Sequence, residues 1–282
     1  MPLIDSSRLL PERLRAAYQP LRPLVDASLG LSGLNALYAR CQGGPTEAFA
    51  QRVLDDRGLA WDLPEAEAAR LRAIQGPLLV LANHPFGGPE ALLLMLLLAR
   101  LRPDYRLMAN GLLGSVPELA PRLILVDPFG GAGAAARNRR PLRQALAWLG
   151  QGGALGIFPA GEVSALRWGR RQVSDGPWQG QVAALARRSG ATILPLHFEG
   201  RNGALFQAAG LLAPRLRTLL LPRAMLNPPP RRLAFRFGEA IPAHPLAAWD
   251  DRRAAAYLRE RCYRLADAAA DPALNAGTHP SS

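Results

Sequence analysis

From Gly76 onward the chain alternates short apolar runs with longer stretches of helical periodicity. This alternation restricts the fold more than any other feature of the sequence. The runs Leu78–Ala82, Tyr105–Met108, Leu123–Val126, Ala154–Phe158, Thr192–Phe198 and Leu233–Phe237 have strand length and strand composition. Between them, helical spacing predicts helices near 89–101, 110–118, 138–150, 179–189, 203–226 and 248–270. A run of apolar residues with no polar alternation belongs to a strand covered on both sides. The pattern therefore predicts an α/β fold: a central, mostly parallel sheet flanked by helices. Residues 1–75 carry leucines and tyrosines at helical spacing, punctuated by Pro20, Pro23 and Pro45, and predict a helical N-terminal extension. The expected organisation is an extension over 1–75, one α/β domain over 76–271 and a disordered tail over 272–282.

Composition excludes several classes. Of 282 residues, 49% are hydrophobic and 20% charged, which suits neither a disordered chain nor a polytopic membrane protein. The longest apolar runs, Ala91–Ala99 and Ala208–Pro214, fall short of the roughly 20 residues a membrane-crossing helix needs, so any membrane contact is expected to be peripheral. No apolar signal-peptide core opens the chain. Cys41 and Cys262 stand far apart with no CxxC, and the four His residues form no HExxH, so neither a disulfide framework nor a metal site is expected. The formal net charge of +12, all of its basic side chains arginine, favours anionic partners: phospholipid headgroups, an acidic carrier protein or nucleic acid. The arginines are scattered and form no nucleic-acid-binding module, so nucleic acid is not an expected partner.

Two turns carry the chemistry. In LANHPFGGPEALL a strand ends at Asn83-His84, a Pro-Phe-Gly-Gly turn follows, Pro89 suits the first helical position, and Glu90 falls in the first turn. Open α/β sheets bind ligands at the carboxyl ends of their strands. An imidazole there can take a proton from an attacking hydroxyl, and a carboxylate on its other nitrogen fixes the tautomer. The Gly87-Gly88 pair lets the chain fold back so that Glu90 can face the ring. In the second turn, GIFPAGEVS, Pro159-Ala160-Gly161 exposes backbone N–H groups that suit an anion or a developing oxyanion. Alone, that turn reads as an ordinary strand-to-helix connection. Beside His84 it would also present Phe158, Glu162 and Ser164. Arg167, Trp168, Arg170 and Arg171 follow, a cluster that fits an anionic headgroup, a membrane interface or a solvated basic loop equally well.

The pair NHPFGGPE and FPAGEVS, with VDPFGG (Val126–Gly131) between them and ILPLHFEGRN (Ile193–Asn202) after, resembles the glycerolipid (lysophosphatidic-acid-type) acyltransferase superfamily. The likeness is closest to the branch that makes ornithine and other amino-acid lipids, often labelled hemolysin. It runs from about Leu78 to Gly238. The resemblance implies that His84 is the catalytic base and Glu90 the acid that orients it. It further implies that Asn83, Phe86, Gly87, Gly88, Phe158, Pro159, Ala160, Gly161, Glu162 and Ser164 form the substrate-binding turns. Asp127 and Pro128 fall in the middle block and Pro195 in the last. The implied reaction moves a fatty-acyl group from acyl carrier protein or coenzyme A to a lyso-lipid hydroxyl, with no metal or redox cofactor, at an anionic membrane on the cytoplasmic face of the inner membrane. Two departures matter. Glu90 stands where the family usually has Asp, and Glu162-Val163-Ser164 follows the turn where phosphatidic-acid-forming members carry an arginine. The second departure leans towards a lyso-ornithine or other amino-acid lyso-lipid over lysophosphatidic acid.

For the oxyanion, the backbone amides near Gly87–Gly88 or Ala160–Gly161 are the candidates. The apolar stretches Ala91–Leu101 and 205–226 fit an acyl groove, although core packing is the simpler reading, and the leucines of 205–226 beside Arg215, Arg217 and Arg223 also fit a membrane-facing patch. A serine hydrolase needs a GxSxG elbow, and none is present; Ser164 lacks that context. Gly130–Ala136 fits GxGxxA only loosely, with no acid at the end of a second strand. Thioesterase or lysophospholipase activity, with water replacing the acceptor, and a catalytically impaired lipid-binding relative remain the alternatives.

Overall fold

The computed structural model describes residues 3–9, 11–127, 133–167, 172–212, 219–226 and 231–267. In chain order the elements are α1 (Glu12–Tyr18), α2 (Arg22–Ser28), α3 (Leu31–Cys41), α4 (Thr46–Asp56), α5 (Glu65–Arg72), β1 (Leu78–Ala82), α6 (Pro89–Leu101), β2 (Tyr105–Asn110), β3 (Leu123–Val126), α7 (Ala134–Gly150), β4 (Ala154–Ile157), α8 (Gln181–Ser189), β5 (Thr192–Phe198), α9 (Ala204–Leu212), α10 (Leu221–Leu226), β6 (Phe235–Phe237) and α11 (Asp251–Asp267). The six strands form one sheet in the order β3-β2-β4-β1-β5-β6. The first five run parallel and β6 joins β5 antiparallel.

β1 shows why the sheet is buried on both faces. All five of its residues are buried. Leu78, Val80 and Ala82 face one core, built with α3, α4, α5 and α6. Leu79 and Leu81 face a second, built with α7, α8 and α11. Side chains alternate across a strand, so a continuous apolar run fills two cores at once. Helices α3, α4 and α5 belong to the first core: Phe49, Ala50, Val53 and Leu54 form one buried stripe of α4, which packs on α6. α6 is apolar nearly all round because it lies between the sheet and these helices, so its leucines pack the core.

Three expected elements differ. The helix near 110–118 is a single 3-10 turn, Gly111–Ser115. Gly114 lies so close to Leu125 that a Cβ there would meet its Cδ1 at 2.6 Å. The long helix over 203–226 is interrupted by a turn at Leu220; its described parts include α9 and α10, and 213–218 lie outside the described residues. β6 begins at Phe235, because Leu233 instead bonds the loop carbonyl of Ala60. The expected tail at 272–282, Pro128, Gly130–Ala132 of the GxGxxA-like stretch, and Trp168, Arg170 and Arg171 also lie outside the described residues. Among the described residues no helix is long and apolar enough to cross a membrane.

The two-core arrangement has a measurable consequence. Leu93 is fully buried and Leu24 is 71% exposed. We expect Leu93→Ala to cost about 2–5 kcal/mol in denaturant unfolding and Leu24→Ala to stay within about 0.5 kcal/mol.

Candidate active site

β1 lies between β4 and β5, so the turns leaving β1 and β4 emerge side by side at the carboxyl edge of the sheet. Asn83 is the first residue past β1. Its side chain prolongs the β1–β5 ladder, accepting the Phe198 N–H at 2.7 Å and donating to the Phe198 carbonyl at 2.9 Å. Both of its polar side-chain atoms are thus turned into the sheet and not towards the space in front of His84.

His84 is held from several directions. Its N–H donates to Asp175 Oδ1 at 3.2 Å, and its carbonyl accepts the Ser164 N–H at 2.8 Å. The ring stacks on Phe158, with centroids 4.1 Å apart and planes 25° from parallel. Nδ1 lies 3.0 Å from Glu90 Oε1. That approach is close enough for an ion pair, but it is off the ring N–H direction and short of an aligned hydrogen bond. Catalytic contacts are often loosely aligned until substrate binds. Nδ1 itself is buried, while the side chain as a whole keeps 16% of its surface exposed.

Glu90 is completely buried. Its Oε1 accepts the Phe86 N–H at 2.7 Å and the Gly87 N–H at 2.8 Å, besides facing His84. Oε2 is buried with no hydrogen-bond partner among the described residues, so Oε1 makes every polar contact of this carboxylate. The turn can fold this tightly because Gly87 has φ +97°, a left-handed value that favours glycine. The site crowds the turn as well: a Cβ on Gly87 would come within 2.9 Å of Val163 and of Leu221, the first residue of α10. Phe86 turns its ring inward under Gly200, and its carbonyl accepts from Asn202 Nδ2 at 3.0 Å.

The second turn meets the first. Pro159 is buried, Phe158, Ala160 and Gly161 are half-buried, and Gly161 has φ +69°. Of the amides expected to face an oxyanion, the Gly87 N–H goes to Glu90 and the Gly161 N–H to the Phe158 carbonyl at 3.1 Å. Gly88 and Ala160 are left as candidates. Ser164 is buried, and its hydroxyl donates to Asp175 Oδ1. Glu162 pairs with Arg167 over Gly176, and both side chains are partly exposed. Asp127 is not brought here. β2 and β4 separate its strand from β1, and its carboxylate pairs with Arg137 at 2.6 Å. Among the described residues no three His, Cys, Asp or Glu side chains gather as a metal ion requires.

Sequence reasoning missed Asp175. It sits in Ser-Asp-Gly-Pro, where an aspartate reads as an ordinary turn residue. It also missed Tyr263 and Arg259, which reach this loop from α11. The Asp175 N–H donates to the Tyr263 hydroxyl at 2.7 Å, and Arg259 donates to the Asp175 carbonyl at 2.9 Å. Burial, and then the Asp175 charge, push the Tyr263 hydroxyl well above the usual phenol range, so it stays protonated.

A histidine with a buried carboxylate beside one ring nitrogen, set where two turns leave adjacent parallel strands, is an arrangement that can take a proton from an attacking hydroxyl. Residues 49–272 match the family model described as Acyltransferase, and the chain belongs to that family. Over 126 residues it is 28% identical to the lyso-glycine lipid O-acyltransferase of Phocaeicola vulgatus, covering 44% of this chain and 43% of that protein. The chain therefore spans less than half the length of that curated relative. The crystal structure of PlsC, the 1-acyl-sn-glycerophosphate (LPA) acyltransferase from Thermotoga maritima, aligns over 94% of this chain and 96% of that one, with 14% identity and a TM-score of 0.47.

Gly87 can be tested against Gly76, which has φ +77° and open space around its Cβ position. Gly76→Ala carries the backbone penalty alone, about 1 kcal/mol. Gly87→Ala adds the clash with Val163 and Leu221, and we expect it to lower the thermal midpoint further and to reduce turnover, which Gly76→Ala leaves intact.

Proposed function

We propose that the chain transfers a fatty-acyl group from an acyl carrier protein or coenzyme A thioester to the hydroxyl of a lyso-lipid. The observation that carries this reading is Glu90 Oε1 lying 3.0 Å from His84 Nδ1 at the carboxyl edge of the sheet. With Nδ1 turned to the carboxylate, Nε2 takes the proton as the acceptor hydroxyl attacks the thioester carbonyl. The buried carboxylate then faces the imidazolium that forms. The thiol leaves with the proton returned from His84, so no acyl-enzyme is needed. A glutamate in place of the usual aspartate still reaches the ring, which argues against an impaired lipid-binding relative.

For the acceptor we favour an amino-acid lyso-lipid, such as a lyso-ornithine or lyso-glycine lipid. Glu162 and Arg167 present both signs of charge on the second turn, so Arg167 can take a headgroup carboxylate and Glu162 an ammonium. The partial relative named for lyso-glycine lipid supports the same class. We place the work at an anionic membrane surface, peripherally, on the cytoplasmic face of the inner membrane. Leu205 and Leu219 are 60% and 52% exposed, and α10, which begins two residues after Leu219, packs on the Gly87 turn. Apolar side chains at the rim of a basic protein suit such a surface.

Radiolabelled acyl donor offered with a panel of lyso-lipids tests the reading. We expect lyso-amino-acid lipids to be acylated in preference to lysophosphatidic acid; the reverse order would overturn the acceptor assignment. His84→Ala should lower turnover by about 10²–10⁴-fold with an unchanged circular dichroism spectrum. Glu90→Gln should be milder. Its amide oxygen can keep the contacts of Oε1, while its NH2 falls where Oε2 has no partner.

A further inference from the structure

Asp175 is only 1% exposed, and its carboxylate gathers donors from three places. Oδ1 accepts the main-chain N–H of His84 at 3.2 Å and the hydroxyl of Ser164. Oδ2 accepts the Trp178 indole N–H at 3.0 Å. A buried carboxylate persists only where such donors compensate it. Two of these donors are the residues that matter: His84 on the turn after β1, and Ser164 on the turn after β4. One oxygen therefore bridges the base and the acceptor-binding turn. The loop that carries it is itself held from α11, by the Tyr263 hydroxyl on the Asp175 N–H and by Arg259 on the carbonyls of Asp175 and Gly176.

We propose that Asp175 is a positioning residue for the transfer reaction, fixing the distance between His84 and the second turn through its buried Oδ1. This rests on the acyl-transfer reading of the site. Asp175 does not touch substrate; it acts through His84 and Ser164. If the two turns drift apart, the hydroxyl bound on one no longer meets the imidazole carried by the other. Displacement of that kind lowers the rate of the chemical step and leaves the affinity for the acyl donor nearly unchanged.

The test compares Asp175→Ala and Asp175→Asn in the full chain. Asn keeps an oxygen for His84 and Ser164 and sets its NH2 against the Trp178 indole. Ala removes every contact. We expect kcat per folded molecule to fall about 100-fold in Asp175→Ala, with KM for the acyl donor within about threefold of wild type, and to recover most of that loss in Asp175→Asn. A folded Asp175→Ala variant with kcat within about threefold of wild type overturns the proposal. Should Asp175→Ala fail to fold, Ser164→Ala decides. It removes one donor to Oδ1, and we expect kcat about tenfold lower; a value within about twofold of wild type overturns the proposal.

A second readout needs no turnover. Carbethoxylation of His84 by diethyl pyrocarbonate, followed by mass spectrometry, reports how firmly the ring is held, with the exposed His244 as internal reference. We expect His84 to react at least about fivefold faster in the folded Asp175 or Ser164 variant while His244 is unchanged. Equal His84 rates overturn the proposal. If wild-type protein acylates no lyso-lipid, the functional reading falls, and these rates still judge the role of Asp175.

Discussion

Oε1 of Glu90 faces an imidazole nitrogen and two main-chain N–H groups at once, inside a fully buried pocket. The same contacts that shape the turn also aim the carboxylate. Because Phe86 and Gly87 donate to the oxygen that His84 needs, the turn cannot open without moving the acid away from the base. The left-handed Gly87 and the close approach of α10 follow from this tight closure, and a bulkier residue would break it. The backbone geometry of the turn and the placement of Glu90 against His84 are here a single constraint.

The sheet supplies the second requirement. The order β4-β1-β5 puts the turn after β4 next to the turn after β1, which carries His84 and Glu90. The stack of His84 on Phe158 and the Ser164-to-His84 main-chain bond join the two turns directly. The strands can sit adjacent and fully buried because each supplies apolar side chains to two cores. Packing on both faces keeps the strand ends rigid, and a rigid strand end is a better support for a base than a free loop.

The parts of this fold that could be read from the sequence were the local ones. β1, β3 and β5 were legible to the residue, because short apolar runs between turn signals have few other uses. His84 and Glu90 were legible because they belong to one turn, six residues apart. The 3-10 turn at Gly111–Ser115 was misread because its leucines imitate a helix while its glycines, needed for close approach to β3, deny one. The long apolar stretch over 203–226 concealed the turn at Leu220, just before α10, behind uniform leucine content. Asp175 was out of reach for a different reason. It meets His84 across 91 residues, and Tyr263 meets it across another 88. Periodicity and turn chemistry carry no information about pairings at that separation. Asn83 shows the opposite case: it stands next to His84 in the motif, yet its side chain bonds Phe198 in the sheet.

The reach of α11 into the Asp175 loop bears on how the protein is made. A ribosome delivers the His84 turn early and the FPAGEVS turn midway, whereas Arg259 and Tyr263 emerge only after the last strand. Domains fold as units as they are synthesised, and here the nascent chain holds His84 and Glu90 well before α11, whose side chains bond the Asp175 loop. The hydrogen bonds that tie the Asp175 loop to α11 therefore form only after translation has passed Tyr263.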